Sequence, residues 1–105
     1  MLVAVGTRSI APGREAEWED IWARMHALAA RQPGFRSARL MKSTEHLSKY
    51  TLLAEWDDAA SWDRFYEHPE MQELTQRSFL LLKSAPVQEW HEVLHEVAAE
   101  GSPAR

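Results

Sequence analysis

Tyr50-Thr51-Leu52-Leu53-Ala54 is a run without polar alternation. Successive side chains of a strand point to opposite faces, so a strand with no polar phase asks for cover on both of them. The chain has 105 residues, room for one domain, and a single layer of helices covers only one face of a sheet. A chain this short also buries a comparatively small fraction of its surface. A second copy's sheet is the cover that meets both needs, and the run predicts a homodimer formed through the sheet.

The rest of the chain supplies the elements around that strand. Leu2 to Ser9 carries Val3, Val5 and Thr7 and is stopped by Ala11-Pro12-Gly13, which reads as a first strand. From Gly13 to Gln32 the period changes. Trp18, Ile21, Trp22, Met25, Leu28 and Ala29 fall on one face of a helix, with Glu15, Glu17, Glu19, Asp20 and Arg24 over most of the remainder. Pro33-Gly34 ends that helix. Phe35–Ser43 and Lys49–Trp56 then form two β-rich runs close enough for an antiparallel hairpin. Asp57-Asp58 can cap a second helix bearing Trp62, Phe65 and Tyr66 on its inner face, with Pro69 at its end. A further helical stretch is expected over Glu70 to Lys83, before Ser84-Ala85-Pro86 breaks it. Val87 to Val97 fits either a helical face or a strand; its start after Pro86 and the order of the other elements favour a last strand. The expected domain is 1–97, with a frayed tail over 98–105.

Hydrophobic residues make up 45% and charged residues 27% of the chain, values of a folded domain rather than a disordered one. The net charge of −4 and the scattering of basic residues among carboxylates argue against nucleic acid as a partner. With no cysteine, disulfides and thiolate chemistry are excluded; a cytoplasmic location is expected. No apolar run approaches the roughly 18 residues of a membrane span, so no membrane partner is expected either.

Pro33-Gly34-Phe35, then Tyr50 to Glu55-Trp56, then Trp62-Asp63-Arg64-Phe65 ending at His68-Pro69, resemble the antibiotic-biosynthesis-monooxygenase family in motif succession and spacing. The match in element order covers Met1 to Val97. The resemblance implies an α+β, ferredoxin-like β-α-β-β-α-β fold with a four-stranded antiparallel sheet, paired as a dimeric α+β barrel. It also implies a pocket in each subunit between the sheet and its own helices. This superfamily includes cofactor-free oxygenases of polycyclic phenols and anthrones, haem-degrading enzymes, isomerases, and proteins without known activity, so the site residues have to discriminate. The haem degraders use an Asn on the first strand, a Trp in the second helix and a proximal His. In a gapless alignment those positions are Gly6, Phe65 and Thr75 here. Without an imidazole at Thr75 no axial ligand is evident unless His68 takes its place by a register shift, and haem turnover is not expected.

His91-Glu92-Val93-Leu94-His95 satisfies the H-E-x-x-H pattern of zinc proteases. That chemistry needs a helix, because only there do i and i+4 converge on one ion; on a strand they stand roughly 13 Å apart. No metal site is expected. His26 follows Trp18 and Trp22 at helical spacing and borders the apolar stripe. An imidazole titrates near neutrality and can serve as a general base, although a boundary histidine with its polar edge in water is the more ordinary outcome. Trp22, Trp62, Phe65 and Tyr66 can line a flat slot for a planar aromatic molecule, or large rings can simply fill a small core. Arg8, Arg36 and Arg39 lie in strand runs and can place a guanidinium in the pocket or at the dimer seam. No nucleotide-binding loop or nucleophile elbow is present, so no cofactor is implied.

The function expected from these residues is a cofactor-independent monooxygenase acting on a small phenolic or anthrone-like molecule. His26 would be the base, Trp22, Trp62, Phe65 and Tyr66 the substrate wall, and Tyr66 or a pocket arginine the partner of the developing oxyanion. The alternatives are a non-catalytic ligand-binding or accessory protein, and an isomerase or cyclase using His26 as acid–base.

Overall fold

The computed structural model describes residues 1–101. Its element order is β1 (Leu2–Ser9), α1 (Glu15–Ala29), β2 (Phe35–Lys42), β3 (Lys49–Trp56), α2 (Ala59–Tyr66), α3 (Pro69–Phe79) and β4 (Val87–Glu92). The four strands form one sheet in the order β2-β3-β1-β4, antiparallel at every pairing. Three helices accompany the sheet, and the whole is the ferredoxin-like α+β architecture expected from the sequence.

Local chemistry explains the boundaries. Gly34 turns the chain between α1 and β2 with φ of +84°, a left-handed conformation that glycine adopts without steric cost. A Cβ placed there would lie 2.1 Å from Ser61 Oγ, so the close docking of α2 requires glycine as well. Asp58 caps α2, its carboxylate accepting from the Ser61 backbone N–H at 2.8 Å. His68 caps α3, with Nδ1 accepting from the Glu70 N–H at 3.2 Å, and Pro69 occupies a first-turn position where a missing N–H costs nothing.

In-register pairs show which side of the sheet the helices cover. Leu2, Ala4, Gly6 and Arg8 of β1 stand beside Trp56, Ala54, Leu52 and Tyr50 of β3. On that side the core gathers Trp18, Ile21, Met25 and Leu28 of α1, Phe65 of α2 and Met71 and Leu74 of α3. Trp56, 1% exposed, is stacked on Phe65 at 5.2 Å and met edge-on by Phe35 and Trp62. At the far end of β3 the Tyr50 hydroxyl donates to Glu19 of α1, and Ser48 donates to Glu15 at 2.9 Å.

Three expectations change. The long second helical stretch stops at Phe79, and the segment after it runs beside the end of β1 instead: Ala11 N–H donates to Leu81 O at 2.8 Å and Lys83 N–H to Ser9 O at 2.8 Å. The last strand ends at Glu92 rather than Val97, because β1 offers it partners only from Leu2 to Thr7. His91 therefore lies on β4 and His95 beyond it, so the two do not share one strand. The tail expected over 98–105 lies partly outside the described residues. Among those described, no helix is long and apolar enough to cross a membrane.

Candidate functional site

A row of small side chains makes a hollow on the helix side of the sheet. Ala38, Ala54 and Ala4 are cross-strand neighbours on β2, β3 and β1, and Gly6 follows Ala4 on the same face two residues on. Nothing taller than a methyl group rises from this patch. Above it stand Trp22 and His26 of α1 and Trp62 and Phe65 of α2, enclosing an inner chamber of about 40 Å³. An outer chamber of about 340 Å³ adjoins it, sharing Trp22, Met25, Trp62, Met71 and Gln88 and adding Arg8, Tyr66, Thr75, Ser78, Phe79 and Pro86.

Each candidate from the sequence has a definite place. Trp22 and Trp62 wall both chambers. Phe65 lines the inner chamber but is 3% exposed and belongs to the core beneath it. Tyr66 lines only the outer chamber, is exposed, and packs on Trp62 at 5.6 Å between ring centroids. His26 lines the inner chamber, half-buried, with its ring edge-on to Trp22 at 5.6 Å. Burial holds its pKa below the usual 6.5, since desolvation penalises the imidazolium. At neutral pH the ring is therefore uncharged, the form in which one nitrogen can accept a proton.

Trp22 Nε1 is buried and has no hydrogen-bond partner among the described residues; the same holds for Thr75 Oγ1. Both side chains wall the chambers. An unpaired buried polar group costs about 1–3 kcal/mol; Trp18 Nε1 and Trp56 Nε1 in the core are unpaired as well.

The three strand arginines separate. Arg36 pairs with Asp57 at 2.9 Å on the surface, Arg39 is exposed opposite Leu53 on the far side of the sheet, and Arg8 alone reaches the cavity, 6% exposed. The positions aligned with the haem degraders' functional residues also lie on this cavity wall: Gly6, Phe65 and Thr75 present a bare backbone, a phenyl ring and a hydroxyl. His68 is engaged as the α3 cap. Among the described residues, no three His, Cys, Asp or Glu side chains gather in a metal-binding group.

Sequence reasoning passed over Gln88, Met25, Met71 and the alanine floor. The alternation of β1 carried a readable signal for the floor, since Ala4 and Gly6 share a face. Gln88 could be found only once β4 was paired with β1.

No curated protein sequence matches the chain significantly. Solved structures match its fold. A point mutant of SnoaB, a cofactor-independent oxygenase from Streptomyces nogalater, superposes with a TM-score of 0.85 at 22% identity, covering 93% of this chain and 97% of that one. A protein described as a putative antibiotic biosynthesis monooxygenase from Nitrosomonas europaea reaches 0.84 at 12% identity, covering 90% and 100%. One of the same description from Caulobacter crescentus reaches 0.83 at 19%, covering 90% of each chain. The family model described as antibiotic biosynthesis monooxygenase matches residues 1–77, and the chain belongs to that family.

Proposed function

We propose that the protein is a cofactor-independent monooxygenase of a small phenolic or anthrone-like molecule, with its reaction in the cavity between helices and sheet. The observation that carries this reading is that half-buried His26, its pKa lowered by burial, and Trp22, whose buried indole N–H is unpaired, line one apolar chamber. A base beside a hydrogen-bond donor is what removal of a proton next to a carbonyl requires: the base takes the proton and the donor holds the oxygen on which charge develops. Trp22 sits closer to this chemistry than Tyr66, which borders only the outer chamber. The likeness of fold to a cofactor-independent oxygenase supports the same reading.

With anthrone as substrate the steps balance. His26 takes a proton from the methylene carbon, and the anion passes one electron to O₂. The carbon radical and superoxide combine, and the peroxide anion recovers the proton from His26. Loss of water from the hydroperoxide leaves the quinone, so one anthrone and one O₂ give one anthraquinone and one water. The inner chamber is tight for a ring system. Met25 and Met71, unbranched and adaptable, are the wall residues that yield to admit one.

We propose further that two copies pair through the sheet surface opposite the helices. Val3, Val5, Leu53 and Met41 belong to that surface by register; Val3 is already buried within the chain, whereas Val5 and Leu53 are half-buried and Met41 is exposed.

The test is oxygen uptake by chelator-treated protein supplied with anthrone. Uptake above the spontaneous rate is expected, reduced about 100-fold or more in His26→Gln. kcat/KM should rise with pH through a pKa below 6.5 and then level off, because the depressed pKa keeps the base form dominant above it. Anthrone binding without enzymic uptake would make the protein a carrier; equal uptake by wild type and His26→Gln would remove His26 as the base.

A further inference from the structure

Among the described residues, Arg8 is the one charged side chain in the wall of the outer chamber, and it is only 6% exposed. Its guanidinium donates from Nη1 to the Thr7 and Val87 carbonyls at 3.1 and 2.9 Å, and from Nη2 to Gln88 Oε1 at 3.1 Å. All three acceptors are neutral dipoles, and among the described residues no carboxylate lies within ion-pair distance of it. Holding a cation out of water without a counter-ion is costly. Two further features show that the place is built. Gly6 clears the space in which the guanidinium lies: a Cβ there would stand 2.9 Å from Nη1. Thr75, 7% exposed, lines the same chamber, and its hydroxyl is buried without a partner among the described residues.

We propose that Arg8, together with the Thr75 hydroxyl, docks a carboxylate carried by the substrate, so that the protein selects aromatic acids over neutral aromatics. This rests on the cavity being the aromatic-binding site. A guanidinium suits a planar carboxylate, which it can meet with paired hydrogen bonds. The position favours a permanent acid over the charge that develops during reaction. His26 lines the inner chamber and Arg8 the outer, so a ring system between Trp22 and Trp62 offers its acidic carbon to one and a substituent to the other.

The test is calorimetric titration of the intact protein with 3-hydroxy-2-naphthoate and with its uncharged amide, 3-hydroxy-2-naphthamide, at pH 7.5. The carboxylate should bind at least about tenfold more tightly. Arg8→Gln should bring the two ligands within about twofold, the carboxylate losing more affinity than the amide. Thr75→Val, close in shape and remote from the β1–β4 pairing, should narrow the preference severalfold even if Arg8→Gln fails to fold. Equal binding of both ligands by wild type, or a full preference surviving in Arg8→Gln, overturns the proposal while leaving the aromatic site intact. Binding of neither ligand overturns the proposal together with the reading of the cavity on which it rests.

Discussion

Gly34 carries two independent constraints. Its φ of +84° disfavours any side chain, and the Ser61 hydroxyl occupies the place a Cβ would take. Gly34→Ala should therefore destabilise the fold by the sum of a backbone strain of about 1–3 kcal/mol and an overpacking cost of similar size. Urea denaturation should show a lower midpoint with an unchanged slope; an unchanged midpoint would mean that α2 shifts aside freely. The turn itself was legible, because Pro-Gly after a helical stripe is a stop signal. The crowding was not, since Ser61 meets Gly34 only after α2 has docked. Arg8 shows the same division. Its strand was readable, and alternation puts it on the face of Ala4 and Gly6. Which face turns toward the helices depended on long-range pairing that no local pattern records. For His26, helical spacing from Trp18 and Trp22 indicated the border of the apolar stripe. Its distance from water, and hence the direction of its pKa, came only with the packing of α1 on the sheet.

Strands and helices whose apolar residues follow one period were placed closely by the sequence. β1 and β3 begin and end where the β-branched and apolar runs do, and α1 occupies the interior of the stretch marked by its stripe. The regions that shifted are those where period 2 and period 3.6 both fit. Val87, Trp90, Leu94 and Val97 satisfy a helical face, yet pairing with β1 decides for a strand over Val87–Glu92 and for nothing regular in the described residues beyond it. The unalternating run Tyr50–Ala54 resolves into Tyr50 and Leu52 buried and Ala54 half-buried on the helix side, with Thr51 and Leu53 half-buried on the other side. That second set is the motive for pairing through the sheet. Sedimentation at micromolar concentration should give about twice the 12.1 kDa chain mass. Leu53→Asp should shift the protein toward monomer, because taking a carboxylate out of water between two sheets is costly and Arg39, its cross-strand neighbour, offsets that only in part. A wild-type monomer would refute the pairing, and an unaffected Leu53→Asp dimer would move the interface elsewhere.

The molecule as a whole separates its tasks by face. One side of the sheet carries helices, a floor of alanines and glycine, and a chamber roofed by tryptophans; the other is the surface through which pairing is proposed. A closed core would be more stable, since empty volume forfeits packing contacts, and that cost falls where β1, β2 and β3 present Ala4, Gly6, Ala38 and Ala54. We propose that this hollow is where substrate is bound and oxidised. It is tested most directly by a crystal structure of the protein soaked with anthrone without oxygen. Ring density is expected between Trp22 and Trp62, with the methylene carbon toward His26 and the ketone oxygen within hydrogen-bond distance of Trp22 Nε1. Ring density confined to the sheet surface opposite the helices, or a ring in the cavity with its methylene carbon turned away from His26, would contradict it.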